Sequence, residues 1–302
     1  MTETTGTAEV TVGHWTDDAA RTGCSVVLFS RPVLTAVDLR GGAPASRELD
    51  LFSSGRLVRR ADAILLTGGS AFGLAAADGV MRYLADHERG FPTPAGPVPI
   101  APAAAIYDLG VGQPVAPDSH AGEAACRQAA PLAALARGQV GVGTGATTSK
   151  IGGAVRAARG GFGLGQVQWT DGGVSALVVV NALGDVVDPI SGQRLTEPSR
   201  GPVDRRAEIA AGTAATPGLG TATTLAVVMV HAPCDYDGLV RCAISAHDGF
   251  ARAIRPCHTP YDGDLVFAVA MNDGECRTAE VLRLSVAAEL AVEAAIVDAV
   301  TA

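Results

Sequence analysis

Lysine is almost absent from this chain. Of its 23 basic residues, 22 are arginine, and the exception is Lys150. The basic residues are not clustered and the formal charge is −8, which excludes nucleic-acid and anionic-membrane surfaces, since both require grouped cations. Charged residues make up 18% of the 302 positions and apolar ones 48%, so a large buried core is expected. Long apolar runs are also missing. "SALVVVNALG" and "TTLAVVMVHA" are about half the roughly 20 residues of a membrane helix. The start, "MTETTGTAEVTVG", has no basic stretch before an apolar run and does not read as a secretory signal. The six cysteines form no Cys-x-x-Cys pair, which fits buried free thiols in a cytoplasmic protein. The six histidines show no His-x-His or His-x-x-x-His spacing, so no metal site is expected. No histidine is nominated for a Ser-His-Asp arrangement either.

What is abundant is small. Thirty-seven glycines, with much alanine, predict tight turns and close backbone packing. Strand and helix signals alternate, which predicts a mixed α/β fold. "ADAILLTGG" reads as a buried strand and "SAFGLAAADGVMRYLADHE" as the helix after it. "AGEAACRQAAPLAALARG" reads as helical with a break at Pro131, since proline cannot continue the hydrogen-bonding ladder. "VSALVVVNALGDVVD" reads as a hairpin turning near Leu183-Gly184-Asp185. "YDGLVRCAISAHDGFARAI" spaces its apolar residues along one helical face, and "AEVLRLSVAAELAVEAAIVDAV" is a long terminal helix. Between Ser191 and Ala222 the chain turns Gly-, Pro- and Thr-rich, with one short helical pattern. A long excursion of this kind within a domain is functional or disordered. It ends at "TTLAVVMVHA", which should be a central strand.

Two glycine-rich stretches invite a nucleotide reading, and both fail. In "GVGTGATTSKIGG" the lysine is preceded by Ser149 and followed by Ile151, not set in Gly-Lys-Ser/Thr, and "GGSAFG" has Ser70 where the second glycine of G-x-G-x-x-G belongs. The junction "PGLGTATTLAVV" is more informative. It delivers Thr223 and Thr224 from a flexible segment to the first turn of a core strand. Threonine is favoured in strands for ordinary reasons. A threonine freed as a chain end, however, can use its own α-amino group, of ordinary pKa roughly 7.7–8.0, as the base for its hydroxyl. No histidine is then required.

The blocks "VGHWTDDAARTGCSVVLF", "RGGAPASRELDLF", "LTGGSAFGLAAADGVMRYL", "YDLGVG", "GTGATTSKIGG", "TTLAVV" and "AHDGFARAIRPCHTPYDGDLVFAVA" run in order along nearly the whole chain. Together they resemble the self-cleaving hydrolases that include DmpA-type aminopeptidases, β-peptidyl aminopeptidases and the nylon-oligomer (6-aminohexanoate-oligomer) endohydrolase. Threonine at the junction is closest to the nylon-oligomer branch. The resemblance implies one domain in a layered α-β-β-α sandwich with two central sheets, of the DmpA / ornithine-acetyltransferase type, assembled as a homo-oligomer of four or more copies. It implies residues 192–222 as a processing loop and self-cleavage at Ala222–Thr223 into fragments 1–222 and 223–302. Neither cofactor nor metal is implied, and the partner is a small amide or peptide substrate.

By the same resemblance Thr223 is the nucleophile, Asp262 and Asp264 of "YDGD" are the two active-centre carboxylates, and the Asn181 amide faces the oxyanion. Lys150 is the active-site lysine, expected to support Asp264 and Thr223, and Tyr107 lines the substrate cleft. The nylon-oligomer branch has asparagine before the nucleophile and the serine branch glycine, whereas this chain has Ala222. Ornithine acetyltransferases share Ala-Thr, so an acyltransferase is the alternative activity, and a binding protein that does not cleave itself is the other. The lone lysine also has a chemical reading. A compact ammonium with an adjustable pKa fits among a hydroxyl and carboxylates where a planar, permanently charged guanidinium does not.

Overall fold

The computed structural model describes residues 8–151, 157–196, 205–214 and 221–302. Its main strands are β1 (Val10–Asp17), β2 (Thr22–Leu39), β3 (Arg60–Thr67), β4 (Ala103–Ala105), β5 (Gly161–Trp169), β6 (Gly172–Asn181), β7 (Thr223–Cys234) and β8 (Leu265–Asp273). The main helices are α1 (Ala76–Asp86), α2 (Ser119–Arg127), α3 (Tyr236–Ala253) and α4 (Thr278–Thr301). Hydrogen bonding orders the large sheet β5-β6-β7-β8-β2-β3-β4, with β1 also paired to β2. The run "TTLAVVMVHA" is therefore a central strand, as its β-branched composition predicts.

Alternation along the strands explains the layers. Ala226, Val228 and Val230 of β7 point to α3 and α4, with Val266, Ala268 and Ala270 of β8 on the same face. Leu225, Val227 and Met229 point the other way, into a central core with Phe267, Phe29, Ile64 and Ile106. Beyond that core, Val26, Leu28, Ala63 and Leu65 face α1 and α2. The order is helix, sheet, sheet, helix, the α-β-β-α sandwich. The two central layers are halves of one hydrogen-bonded sheet. The 18-residue β2 belongs to both: its first part pairs with β1 and β3, its second with β8, and its pairing with β3 shifts between Leu28 and Val33.

Glycine sets one of the helix–sheet distances. Gly161, Gly163 and Gly165 share a face of β5, and a Cβ on them would lie 2.2, 2.1 and 2.0 Å from the carbonyl oxygens of Ala299, Ala295 and Ala291. α4 thus rests directly on the strand backbone, at a separation that any side chain would prevent.

Three local expectations need correction. The hairpin over Val174–Asp188 does not form: β6 pairs with β5 and β7, while Asp185–Val186 leaves the sheet to pair with Ile254–Arg255. The true hairpin is β5–β6, and β6 is buried on both faces, so its apolar run carries no alternation to mark where it ends. The helix expected over 121–138 stops at Arg127, and Ala130–Pro131 pairs with β1. The helix after β3 is broken at Leu74–Ala75 into Ser70–Gly73 and α1. Of the expected processing loop, 197–204 and 215–220 lie outside the described residues, and Arg205–Ala210 is a short helix. No described helix is long and apolar enough to cross a membrane.

Replacing Gly163 with valine is expected to destabilise the chain by about 3 kcal/mol or more, because the Cβ would meet backbone that cannot yield. Urea denaturation checks this; an unchanged midpoint would show that α4 does not lie this close to β5.

Candidate active site at the Ala222–Thr223 junction

The parallel pairing of β7 with β8 begins at Leu225↔Leu265, and a bridge between Ala222 and Asp262 extends it outward. The end of the loop and the turn "YDGD" are thereby brought side by side. The segment Arg40–Ala43 holds the turn from behind. Arg40 and Gly41 N–H groups donate to the Asp264 carbonyl at 3.0 and 3.1 Å, and Ala43 N–H donates to that of Asp262 at 2.8 Å. A Cβ on Gly41 would lie 2.2 Å from the Asp264 nitrogen, which gives the sequence block "RGGAPA" its structural reason.

Ala222 and Thr223 are both buried, at 0% and 3% exposure. The Thr223 hydroxyl donates to the Ala222 carbonyl oxygen at 2.5 Å, and Gly263 N–H donates to the same oxygen at 3.0 Å. Asp262 accepts from Thr259 N–H and Oγ1–H at 2.9 and 2.6 Å on one oxygen, and from Leu183 N–H at 3.4 Å on the other. Burial, then the neighbouring Asp264 carboxylate, push its pKa up. Asp264 accepts from Thr224 N–H at 2.7 Å, so it fixes the residue after Thr223.

Lys150 is buried at the opposite side of the junction. Its ammonium donates to the Asn181 carbonyl at 2.9 Å, to Asn181 Oδ1 at 2.7 Å and to the Thr221 carbonyl at 2.6 Å. Burial lowers its pKa from 10.5 to about 7, against the opposing pull of Asp262 and Asp108. The charge partners are these two carboxylates. The expected support of Asp264 is not found, because Asp264 is engaged by Thr224 and by a histidine. Asn181 itself sits at the end of β6, opposite Thr223 in the ladder. Its Oδ1 also accepts Thr147 N–H at 3.0 Å, and its Nδ2 donates to the Tyr107 carbonyl at 3.1 Å. Tyr107 is partly exposed and joined to the site through that backbone oxygen.

Two residues escaped the sequence reading. Asp108, buried beside Tyr107, accepts Thr22 Oγ1–H and Gly69 N–H, each at 2.7 Å, and burial raises its pKa. Its signal was the only carboxylate in "IYDLG". His258 had no signal of spacing. Its main-chain N–H and its Nδ1 lie 2.9 and 2.8 Å from Asp264 Oδ2, and its Nε2 lies 3.4 Å from the His247 carbonyl. Both ring nitrogens face acceptors, an arrangement that favours the imidazolium. Burial opposes that charge, but the Asp264 carboxylate and the Cys257 side chain together outweigh it and raise the pKa to about 10. Among the described residues, no group of three or more His, Cys, Asp or Glu side chains could hold a metal ion.

The sequence model of peptidase family S58 matches residues 3–302. The chain belongs to this family. It is accordingly a hydrolase of peptide or amide bonds. An uncharacterized aminopeptidase of Mycobacterium bovis is 44% identical over 259 residues, covering 82% of this chain and 73% of the relative. A 6-aminohexanoate-oligomer endohydrolase of a Kocuria strain is 29% identical over 271 residues, covering 87% and 73%. Among solved structures, a Burkholderia beta-aminopeptidase superposes with a TM-score of 0.71 at 21% identity, over 96% of this chain and 84% of that one. The L-aminopeptidase D-Ala-esterase/amidase of Ochrobactrum anthropi, described as a variant of the Ntn hydrolase fold, gives 0.69 at 16% identity, over 97% and 84%. These two similarities establish the fold.

The His258–Asp264 pair carries a pH signature. A raised pKa means that its contribution to stability is complete below the ordinary histidine value of 6.5 and is lost as the pH rises through about 10. His258→Asn, chosen because the position has φ +54° and asparagine tolerates it, should cost about 1.5–3 kcal/mol near neutrality. It should also flatten that pH dependence. Thermal unfolding between pH 6 and 10 measures both, and an unaltered slope would contradict the ion pair.

Proposed function

We propose that this S58 chain is a self-processing amide hydrolase whose nucleophile is Thr223. The reading rests chiefly on one observation: a buried hydroxyl lies 2.5 Å from the carbonyl oxygen of its own preceding residue, on a peptide bond clamped between the "YDGD" turn and Lys150. A hydroxyl held this close needs only a base and a place for the negative charge to become an acyl acceptor. Lys150 suits the first role. With a pKa of about 7, a sizeable fraction is neutral amine at neutral pH, and it is fastened to the Thr221 carbonyl immediately before the junction.

After the cut, Thr223 carries both hydroxyl and α-amine. The amine takes the place of Lys150 as local base, and the Asp262 and Asp264 carboxylates beside it hold the ammonium form when it is protonated. The hydroxyl then attacks an amide carbonyl of a small substrate, an acyl-enzyme forms, and water releases it. Substrates of the size of short peptides, β-peptides or aminoalkanoate oligomers suit this reading, in keeping with the names of the relatives. Tyr107, partly exposed beside Asn181, lines the approach. Assembly into a homo-oligomer belongs to the same proposal.

Purified protein should run as two pieces of roughly 22 and 8 kDa, from 30.5 kDa divided at residue 222, and Thr223→Ala should stay whole and lose amide turnover. A single full-length species of folded parent protein, without turnover of a panel of N-terminal amides, β-peptides and aminohexanoate oligomers, would overturn the proposal. Because the neutral amine is the base, freshly made precursor should cleave faster as pH rises, levelling above about 7. Lys150→Arg, which fixes the positive charge, should slow the cut by at least 10²-fold, in line with the usual contribution of a general base. Cleavage kinetics followed by intact mass from pH 5.5 to 9 test this.

A further inference from the structure

The Ala222 carbonyl oxygen is the atom on which charge collects if the junction is cut, and its surroundings are specific. It has two donors, Thr223 Oγ1–H at 2.5 Å and Gly263 N–H at 3.0 Å. The first is the attacking group itself, and its hydrogen bond is lost when the hydroxyl turns toward the carbonyl carbon. The other polar donors of the site are committed elsewhere. Lys150 serves the Thr221 and Asn181 oxygens, and Asn181 Nδ2 serves the Tyr107 carbonyl. Asp262 and Asp264 offer negative charge, which would repel an oxyanion.

We propose that the main-chain N–H of Gly263 is the oxyanion donor for self-cleavage, distinct from the Asn181 amide. The inference rests on the reading of Ala222–Thr223 as the cut bond. In the step, Thr223 Oγ forms a bond to the Ala222 carbon and the carbonyl electron pair moves onto oxygen. Collapse breaks the C–N bond, and the hydroxyl proton ends on the Thr223 nitrogen. Water then divides the ester into the Ala222 carboxylate and the free Thr223 hydroxyl.

Two features fit Gly263 to this task. The amide is held from both sides before the reaction starts, through Ala43 N–H on the Asp262 carbonyl and Arg40 and Gly41 N–H on that of Asp264, so little reorganisation is needed as charge develops. The position also requires glycine. A Cβ would lie 2.8 Å from Thr223 Oγ1 and 3.0 Å from the Ala43 carbonyl, displacing the nucleophile. The residue between the two carboxylates thus supplies an N–H and nothing else.

The test is the full-length chain with glycolic acid in place of Gly263, which exchanges the N–H for an ester oxygen without adding volume. With folding checked by circular dichroism, self-cleavage should slow by about 10²–10³-fold, as when one oxyanion donor is removed elsewhere. If the parent cleaves and the ester-containing chain cleaves within threefold of it, the assignment is wrong although the cleavage reading stands. If the parent itself stays whole, the cleavage reading fails and takes this one with it. In the Thr223→Ala chain, which needs no ester, the Gly263 amide should exchange with solvent at least 10³-fold more slowly than a free amide. Rapid exchange would likewise overturn the assignment.

Discussion

A short parallel contact, Ala222 beside Asp262, decides where the groups of the candidate site meet. It prolongs the β7–β8 ladder past its last regular pair, and with it a loop end and a tight turn become neighbours at the rim of the sheet. Thr223, Thr224, Asp262, Gly263 and Asp264 all take their positions from that extension. The loop Arg40–Ala43 holds the turn from outside through backbone hydrogen bonds alone. Geometry set by backbone is less easily lost than geometry set by rotamers, which suits the self-processing proposed for this junction.

Around this frame the charges are arranged so that each buried carboxylate has a donor set of its own. Asp108 is answered by Thr22 and Gly69, Asp262 by Thr259 and Leu183, and Asp264 by Thr224 and His258. Lys150 stands among them with three oxygen partners, and burial brings its pKa close to neutrality. Burying an ammonium is costly unless its donors are satisfied and carboxylates lie near, and both conditions hold here. The same burial turns a surface-type cation into a group that can exchange a proton at ordinary pH.

Much of this was legible in order and little of it in space. The central strand from Thr223 could be read from its β-branched run, and the amphipathic helices from their periodicity. Lys150 stood out because nothing else in the chain is lysine. The path after Val174–Asn181 is not legible in sequence, because a strand buried on both faces gives no alternation to show where it ends, and a glycine turn after it looks the same whether the chain returns or leaves. His258 was invisible for another reason. Its partner Asp264 is six residues away, and the backbone at His258 adopts φ +54°, which no residue pattern announces. Asn181 could be matched by family resemblance, yet its actual neighbours, Lys150 and Thr147 on one side and the Tyr107 carbonyl on the other, come from two separate segments.

Sequence alone determined the class of fold, the family, and which side chains have the chemistry to act, because apolar periodicity and residue type are local properties. Tertiary structure decided which of them touch. The pairing of Lys150 with Asn181 and Thr221, of His258 with Asp264, and of the Gly263 amide with the Ala222 carbonyl depends on strand register and on glycine backbones packed without side chains between them. Such contacts join residues far apart in the chain. Their energies come from burial and from a few tenths of an ångström, neither of which is written at any one position.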